Sequence, residues 1–171
     1  MVRAEALRAA RERPNNPDAV DLAMQGSAAS AYGFAQLNEA LGYYERAYQL
    51  DPELTRAQVG LASSLVERAL WLKSGNEAVD YPRADALLTK ALVKEPNNAW
   101  AHFAKAELLF ARKQFNEAIS ELNVAIENDP NFASAYAFRG LTRMFIGRSA
   151  EVIPEVETAV RLSPRDPGRP G

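Results

Sequence analysis

Apolar residues along this chain recur three and four positions apart, as in Ala118, Leu122 and Ala125. That is the stripe of an amphipathic helix; alternation with a period of two and β-branched runs, the marks of a strand, do not stand out. The stripes, read with the proline and turn-residue clusters between them, predict helices near 2–13, 18–31, 37–50, 53–72, 81–94, 98–112, 115–128, 132–146 and 149–162. In the first of these Ala6, Leu7 and Ala10 form the packing stripe. Proline falls where one helix has ended and another is about to start, because its ring is tolerated in a first turn and not in a helix interior.

The stripes repeat. Pro96, Pro130 and Pro164 lie 34 residues apart, and Ala91, Ala125 and Ala159 keep that interval. So do Ala84, Ala118 and Val152, and Leu88, Leu122 and Val156. In the preceding helices Ala101 matches Ala135, and Ala106 matches Gly140. Ala40, Tyr44, Ala47, Pro52, Ala57 and Ala62 precede their counterparts by 44, one period plus ten residues. The surplus falls around Trp71–Asp80, after which Tyr81 and Pro82 are expected to restart the chain with proline in a first turn. Gly26 matches Ala62 once two extra residues are allowed near Ser30–Phe34. Small side chains at fixed intervals let helix backbones approach, and the larger residues one turn away fill the remaining space. Pro154 falls early in the last helix, where it is tolerable.

The set Ala106, Ala118, Leu122, Ala125 and Pro130, followed by Gly140, Gly147, Val156, Ala159 and Pro164, resembles the tetratricopeptide repeat, a helix–turn–helix unit of 34 residues. Lys113 stands where that family often has a turn glycine, and Val152 where it has alanine. The resemblance implies an all-α, right-handed superhelical solenoid of about four units (18–52, 53–96, 97–130 and 131–164). An N-terminal packing helix and linker over 1–17 would precede it, and a truncated tail over 165–171 would follow. Each unit would bury its apolar face only against its neighbours.

A second stripe runs along the first helix of each unit: Arg56, Val59, Ser63 and Val66; then Trp100, Phe103, Glu107 and Phe110; then Ser134, Ala137, Leu141 and Met144. By resemblance to the family these positions line a concave inner surface. An apolar and aromatic groove of that kind suits an amphipathic helix or an extended peptide of a protein partner. The same residues would instead be local core, or pack against another part of a longer protein. Some family members hold a C-terminal carboxylate with Lys and Asn side chains here. Val59, Gly60 and Ser63, then Phe103, Ala104 and Glu107, stand at the matching positions and supply no such clamp.

Composition narrows the chemistry. The 171 residues carry 20 Lys and Arg against 22 Asp and Glu, a net charge of −2 without the basic surface of a nucleic-acid binder. There is no Cys, so disulfides, thiolates and Cys-based zinc sites are excluded. No apolar run has the roughly 18–20 residues of a membrane helix, and the start of the chain lacks a secretory signal, so a cytoplasmic protein is expected. His102 is the sole imidazole and reads as a packing or edge residue. Glu117 and Glu121 read as a solvated helix face, and Arg139, Arg143 and Arg148 as a solvated edge that an acidic partner would suit. Trp71 reads as a lid over neighbouring helices. Phosphate-binding glycine loops are missing. No catalytic group, metal site or cofactor is expected.

Three stretches carry a narrower resemblance: RERPNNPDAVDLAMQGSA, EALGYYERAYQLDPELTRAQVGLA and AVRLSPRDP. They look like the repeat region downstream of class III adenylate or guanylate cyclase domains, or of winged-helix domains, in bacterial signalling proteins. That resemblance implies a regulatory or assembly module without activity of its own. The expected function is a non-catalytic scaffold for protein partners. The alternatives are a small-molecule sensor or enzyme accessory domain using the groove, and a freestanding assembly adapter. The text after Pro164 opens like another unit and then stops, leaving Ile153, Val156 and Val160 poorly covered. The expectation is a fragment of a larger chain whose open end associates with another copy.

Overall fold

In the computed structural model residues 18–72 and 75–163 are described, and among them all regular structure is helical. The expected helix over 2–13, Pro164 and the tail over 165–171 lie outside the described residues. The chain divides into two compact units between Pro96 and Asn97.

The first unit contains α1 (Ala19–Ser30), α2 (Leu37–Leu50), α3 (Thr55–Leu72) and α4 (Glu77–Lys94). Asp18 caps α1, its side chain accepting from the Asp21 amide at 2.9 Å. α1 packs on α2, α2 on α3 and α3 on α4. At the seams Ala40, Ala47, Ala57, Ala62, Ala84 and Ala91 are wholly buried, as the 34-residue pattern requires. Tyr44 takes the place of Leu88 and Leu122, and two glycines make room for its ring. A Cβ on Gly60 would lie 2.2 Å from the ring, and one on Gly26 2.9 Å. The phenol donates to Ser27 Oγ at 3.0 Å. Burial pushes its pKa up, against the opposing pull of hydrogen bonds to Ser27 and Ser30.

The surplus segment departs from expectation. α4 begins at Glu77, not at Tyr81, so Pro82 stands inside the helix and beyond its first turn. Asp80 explains the early start: it is buried, and both its oxygens accept from Arg68 of α3, at 2.7 Å from Nη2 to Oδ1. The ion pair pins the first turn of α4 against α3. The hydrogen bond that Pro82 cannot donate is lost at an exposed position, where water replaces it. At the α2–α3 turn, Lys90 donates to the Pro52 carbonyl at 3.4 Å and Lys94 to that of Glu53 at 2.6 Å.

The second unit contains α5 (Ala99–Ala111), α6 (Phe115–Asn128), α7 (Ala133–Phe145) and α8 (Val152–Leu162), the last entered through a 3-10 turn at Ser149–Glu151. Asn98 caps α5, accepting from the Ala101 amide at 3.0 Å. Ala101, Ala106, Ala118, Leu122, Ala125 and Ala135 have no exposed surface. Lys113 adopts the left-handed conformation, φ 62°, that its glycine counterpart Gly147 adopts at φ 77°. Both close the same helix-end motif: the Gln114 and Arg148 amides reach back to the Leu109 and Arg143 carbonyls at 2.9 and 3.0 Å.

α7 and α8 are held by a polar clasp, which corrects the reading of Arg139 and Arg143 as a solvated edge. Glu155 is buried on the inner face of α8, and Gly140 admits it: a Cβ there would stand 3.1 Å from that of Glu155. Arg139 donates to Glu155 through Nε at 3.1 Å and Nη2 at 3.0 Å, and to Asn123 of α6 through Nη1 at 2.7 Å. Arg143 Nη1 donates to the same carboxylate. Arg148 is exposed and pairs with Glu151. Two guanidiniums converging on one carboxylate give a buried clasp that a solvated helix edge would not.

Candidate functional site

The candidate surface is built from the second stripe of each unit's first helices, taken one unit at a time. In the first unit Val59 and Val66 of α3 are buried and Ser63 is half-buried. Arg56, at the start of that stripe, is exposed. The expectation of an open apolar stripe on α3 is therefore corrected, since its valines are core. Beside it stands Glu67, whose carboxyl is pushed up to about 7 by burial. Nothing in the local sequence sets this glutamate apart from a surface one.

One turn further along α3, Trp71 leans on Phe34 from the 3-10 turn Gly33–Gln36, ring centroids 6.3 Å apart. Trp71 remains 41% exposed, so it covers its surroundings only in part.

In the second unit the stripe residues of α5 build a run of aromatic rings. Trp100 meets Phe132 at 4.3 Å, Phe103 meets Phe132 at 5.0 Å and Phe138 at 5.8 Å, and Phe110 meets Phe138 at 5.1 Å. Phe115 and Phe145 continue it beyond Phe110, at 5.3 and 5.0 Å. The tilted and edge-on arrangements are those that aromatic quadrupoles favour, each worth roughly 0.5–1.5 kcal/mol beyond simple burial. Phe103, Phe110 and Glu107 are buried, so the reading of these three as an exposed groove floor is also corrected. Rings one turn apart on α5 find Phe132 and Phe138 at α7, a partnership invisible from α5 alone.

What stays exposed lies at the ends of the run and along α7. Trp100 is 59% and Met144 51% exposed; Ala137 is exposed and Leu141 half-buried. Phe145 is exposed as well. Trp100 is thus a large aromatic surface whose ring is steadied on one side by Phe132 and Phe103 (6.2 Å). His102 sits apart from this face. Its Nδ1 is 2.6 Å from Glu121 Oε2 of α6, which makes Glu121 a cross-helix partner and not part of a solvated face, while Glu117 is exposed. Among the described residues no group of three or more His, Cys, Asp or Glu is placed to hold a metal ion. None of their helices is long and apolar enough to cross a membrane.

Residues 76–141 match the family model for the tetratricopeptide repeat. Hsc70-interacting proteins 1 and 2 of Drosophila melanogaster are 30% identical to this chain over 82 residues, which are 48% of this chain and 22% of theirs. A repeat-containing thioredoxin of Arabidopsis thaliana is 29% identical over 75 residues, 44% of this chain and 20% of its own length. The chain thus spans about a fifth of the length of these relatives. Among solved structures, a thermophilic repeat protein of Thermus thermophilus superposes with a TM-score of 0.74 at 18% identity, covering 94% of this chain and 81% of that one. MamA from Desulfovibrio magneticus superposes at 0.60 with 16% identity, covering 98% and 96%. At these identities the superpositions speak for the fold alone. Residues 76–141 are thus similar to the tetratricopeptide repeat, and the chain has the all-α hairpin fold of tetratricopeptide-repeat proteins.

Proposed function

We propose that this chain is a non-catalytic scaffold that binds a protein partner through the exposed apolar face of its second unit. Tetratricopeptide-repeat proteins mediate protein–protein interactions, which is the coarse function of the fold. The observation that carries the finer reading is Trp100: a steadied tryptophan, 59% exposed, with Met144 and Ala137 of α7 also exposed. Tryptophan in such a setting is the residue type most often found as a binding anchor, and the occupant it suits is the apolar side of an amphipathic helix or extended peptide. Open exposure of this kind favours a peptide over an enclosed small molecule, and the His102 and Glu121 side chains bind each other.

Two relatives carry Hsc70 interaction in their names. Here Val59, Ser63, Phe103 and Glu107 stand where a Lys and Asn clamp would be needed, so capture of a chaperone's C-terminal carboxylate is not part of this proposal. A cytoplasmic role as regulatory or assembly module of a bacterial signalling protein rests on the three stretches quoted above. The uncovered stripe of α8 (Ile153, Val156 and Val160) is read as a self-association surface.

Affinity capture with the 171-residue chain tests the proposal. Trp100→Glu and Met144→Glu should each abolish retention of the partner that the wild type holds, with helix content unchanged. Equal retention by all three would remove this face from the account. Phe103→Glu is unsuitable, because an unpaired carboxylate inside the ring cluster would damage the unit itself.

A further inference from the structure

We propose that α8 pairs antiparallel with α8 of a second copy of this chain, through an apolar seam flanked by two reciprocal Glu157–Arg161 ion pairs. The inference rests on reading α8 as a self-association surface and adds its geometry. Glu155 and its arginine partners define the inner side of α8, facing α7. On the side turned away from them, Ile153, Val156 and Val160 are 66%, 45% and 39% exposed. Their spacing of three and then four is that of a two-helix coiled contact.

Charge decides the orientation. At 100° per residue, Glu157 and Arg161 fall on one flank of that stripe, one turn apart, and both are exposed. The opposite flank holds Val152, Ala159 and Ser163 and carries no charge. In an antiparallel pair a flank faces the same flank of the other helix, so Glu157 meets the partner's Arg161 and Arg161 meets the partner's Glu157. In a parallel pair each charged flank would face the uncharged one. A negative and a positive group one turn apart on a single edge are thus self-complementary only about a two-fold axis across the helix. A net charge of −2 offers little general repulsion between copies.

The ion pairs set the two-fold axis level with Ala159, so Val156 and Val160 form the seam and Ile153 lies at its rim. This contact is far smaller than the roughly 800 Å² per partner of a tight complex, so the dimer is weak, with a dissociation constant on the order of 10–1000 μM.

The test is sedimentation equilibrium of the full 171-residue chain across that concentration range at low salt, with circular dichroism to confirm intact helices. The wild type should dimerise and Val156→Glu should not. Glu157→Arg and Arg161→Glu should each weaken the dimer about tenfold, since each replaces two attractive pairs by two repulsive ones. Mixing the two single variants in equal amounts should restore wild-type association, because every pair is then opposite in sign; the double swap should do the same alone. A wild type that stays monomeric, or a dimer indifferent to Val156→Glu, would overturn the self-association reading itself. A dimer that Val156→Glu abolishes, but that the mixture fails to restore, would leave the surface standing and overturn the antiparallel pairing.

Discussion

Gly60 offers the sharpest check on how the first unit is packed. Adding one methyl group there places a carbon 2.2 Å from Tyr44 Cε1, 2.3 Å from Cζ and 2.5 Å from Cδ1, all well inside contact distance. The ring has nowhere to retreat: Gly26 lies close against it as well, and its hydroxyl is tied to Ser27. Overpacking a fixed site typically costs about 1–3 kcal/mol, and contacts this short place Gly60→Ala near the upper end. Alanine returns about 1 kcal/mol as a better helix former, which leaves a net loss of about 2 kcal/mol. In a Tyr44→Leu background, the residue found at the matching positions 88 and 122, the obstruction is gone and only the propensity gain remains. Gly60→Ala should then be neutral or stabilising by up to about 1 kcal/mol. Urea unfolding followed by circular dichroism gives the four stabilities of this cycle, with an expected coupling of about 2–3 kcal/mol. A coupling below about 0.5 kcal/mol, or a stabilised Gly60→Ala in the wild-type background, would refute the account of Tyr44 as a ring held between two glycines.

Three further outcomes follow from the same geometry. Lys113→Gly should stabilise the second unit by up to about 1 kcal/mol, because φ 62° is strained for any side chain and Gly147 occupies the equivalent turn; a thermal melt showing a lower midpoint would contradict it. Glu155→Gln should cost about 3 kcal/mol by leaving Arg139 and Arg143 without their shared counter-charge, whereas Glu151→Gln, which removes only a rim ion pair with Arg148, should leave the protection of α8 unchanged; hydrogen exchange along α8 distinguishes the two. Glu67 holds its proton up to about pH 7 in the folded chain and loses it near 4.5 when unfolded. Its contribution is therefore complete below pH 4.5 and is lost as the pH rises through 7, by on the order of 3 kcal/mol. Denaturation at pH 4.5 and pH 8 should show that slope in the wild type and its loss in Glu67→Gln.

The helices and their seams were legible in the amino-acid order. Ala84, Ala91, Ala118 and Ala125 announce close contacts because only small side chains permit them, and the interval between them is a property of the chain. Lys113 stood out only through the family resemblance, as a lysine where a turn glycine is usual, and the structure shows the left-handed conformation behind that preference. These are local or periodic constraints, which a linear pattern records.

Burial of the candidate face was a different matter, because it depends on which side chains arrive from elsewhere. Phe103 and Phe110 read as an exposed stripe until Phe132, just before α7, and Phe138 within it meet them. Arg139 and Arg143 read as a solvated edge until folding set them against Glu155 at a buried junction, and nothing in the sequence marked Glu155 or Asp80 as a buried anion. A charged residue carries no mark in the sequence of whether water or an opposite charge will surround it. The amino-acid order thus determined where this chain turns into helices and where their backbones touch, apart from the start of α4, which the buried Asp80–Arg68 pair sets. The tertiary structure alone decided which aromatic and charged side chains became core and left Trp100 and Met144 facing outward, since that depends on distances between residues far apart in the chain.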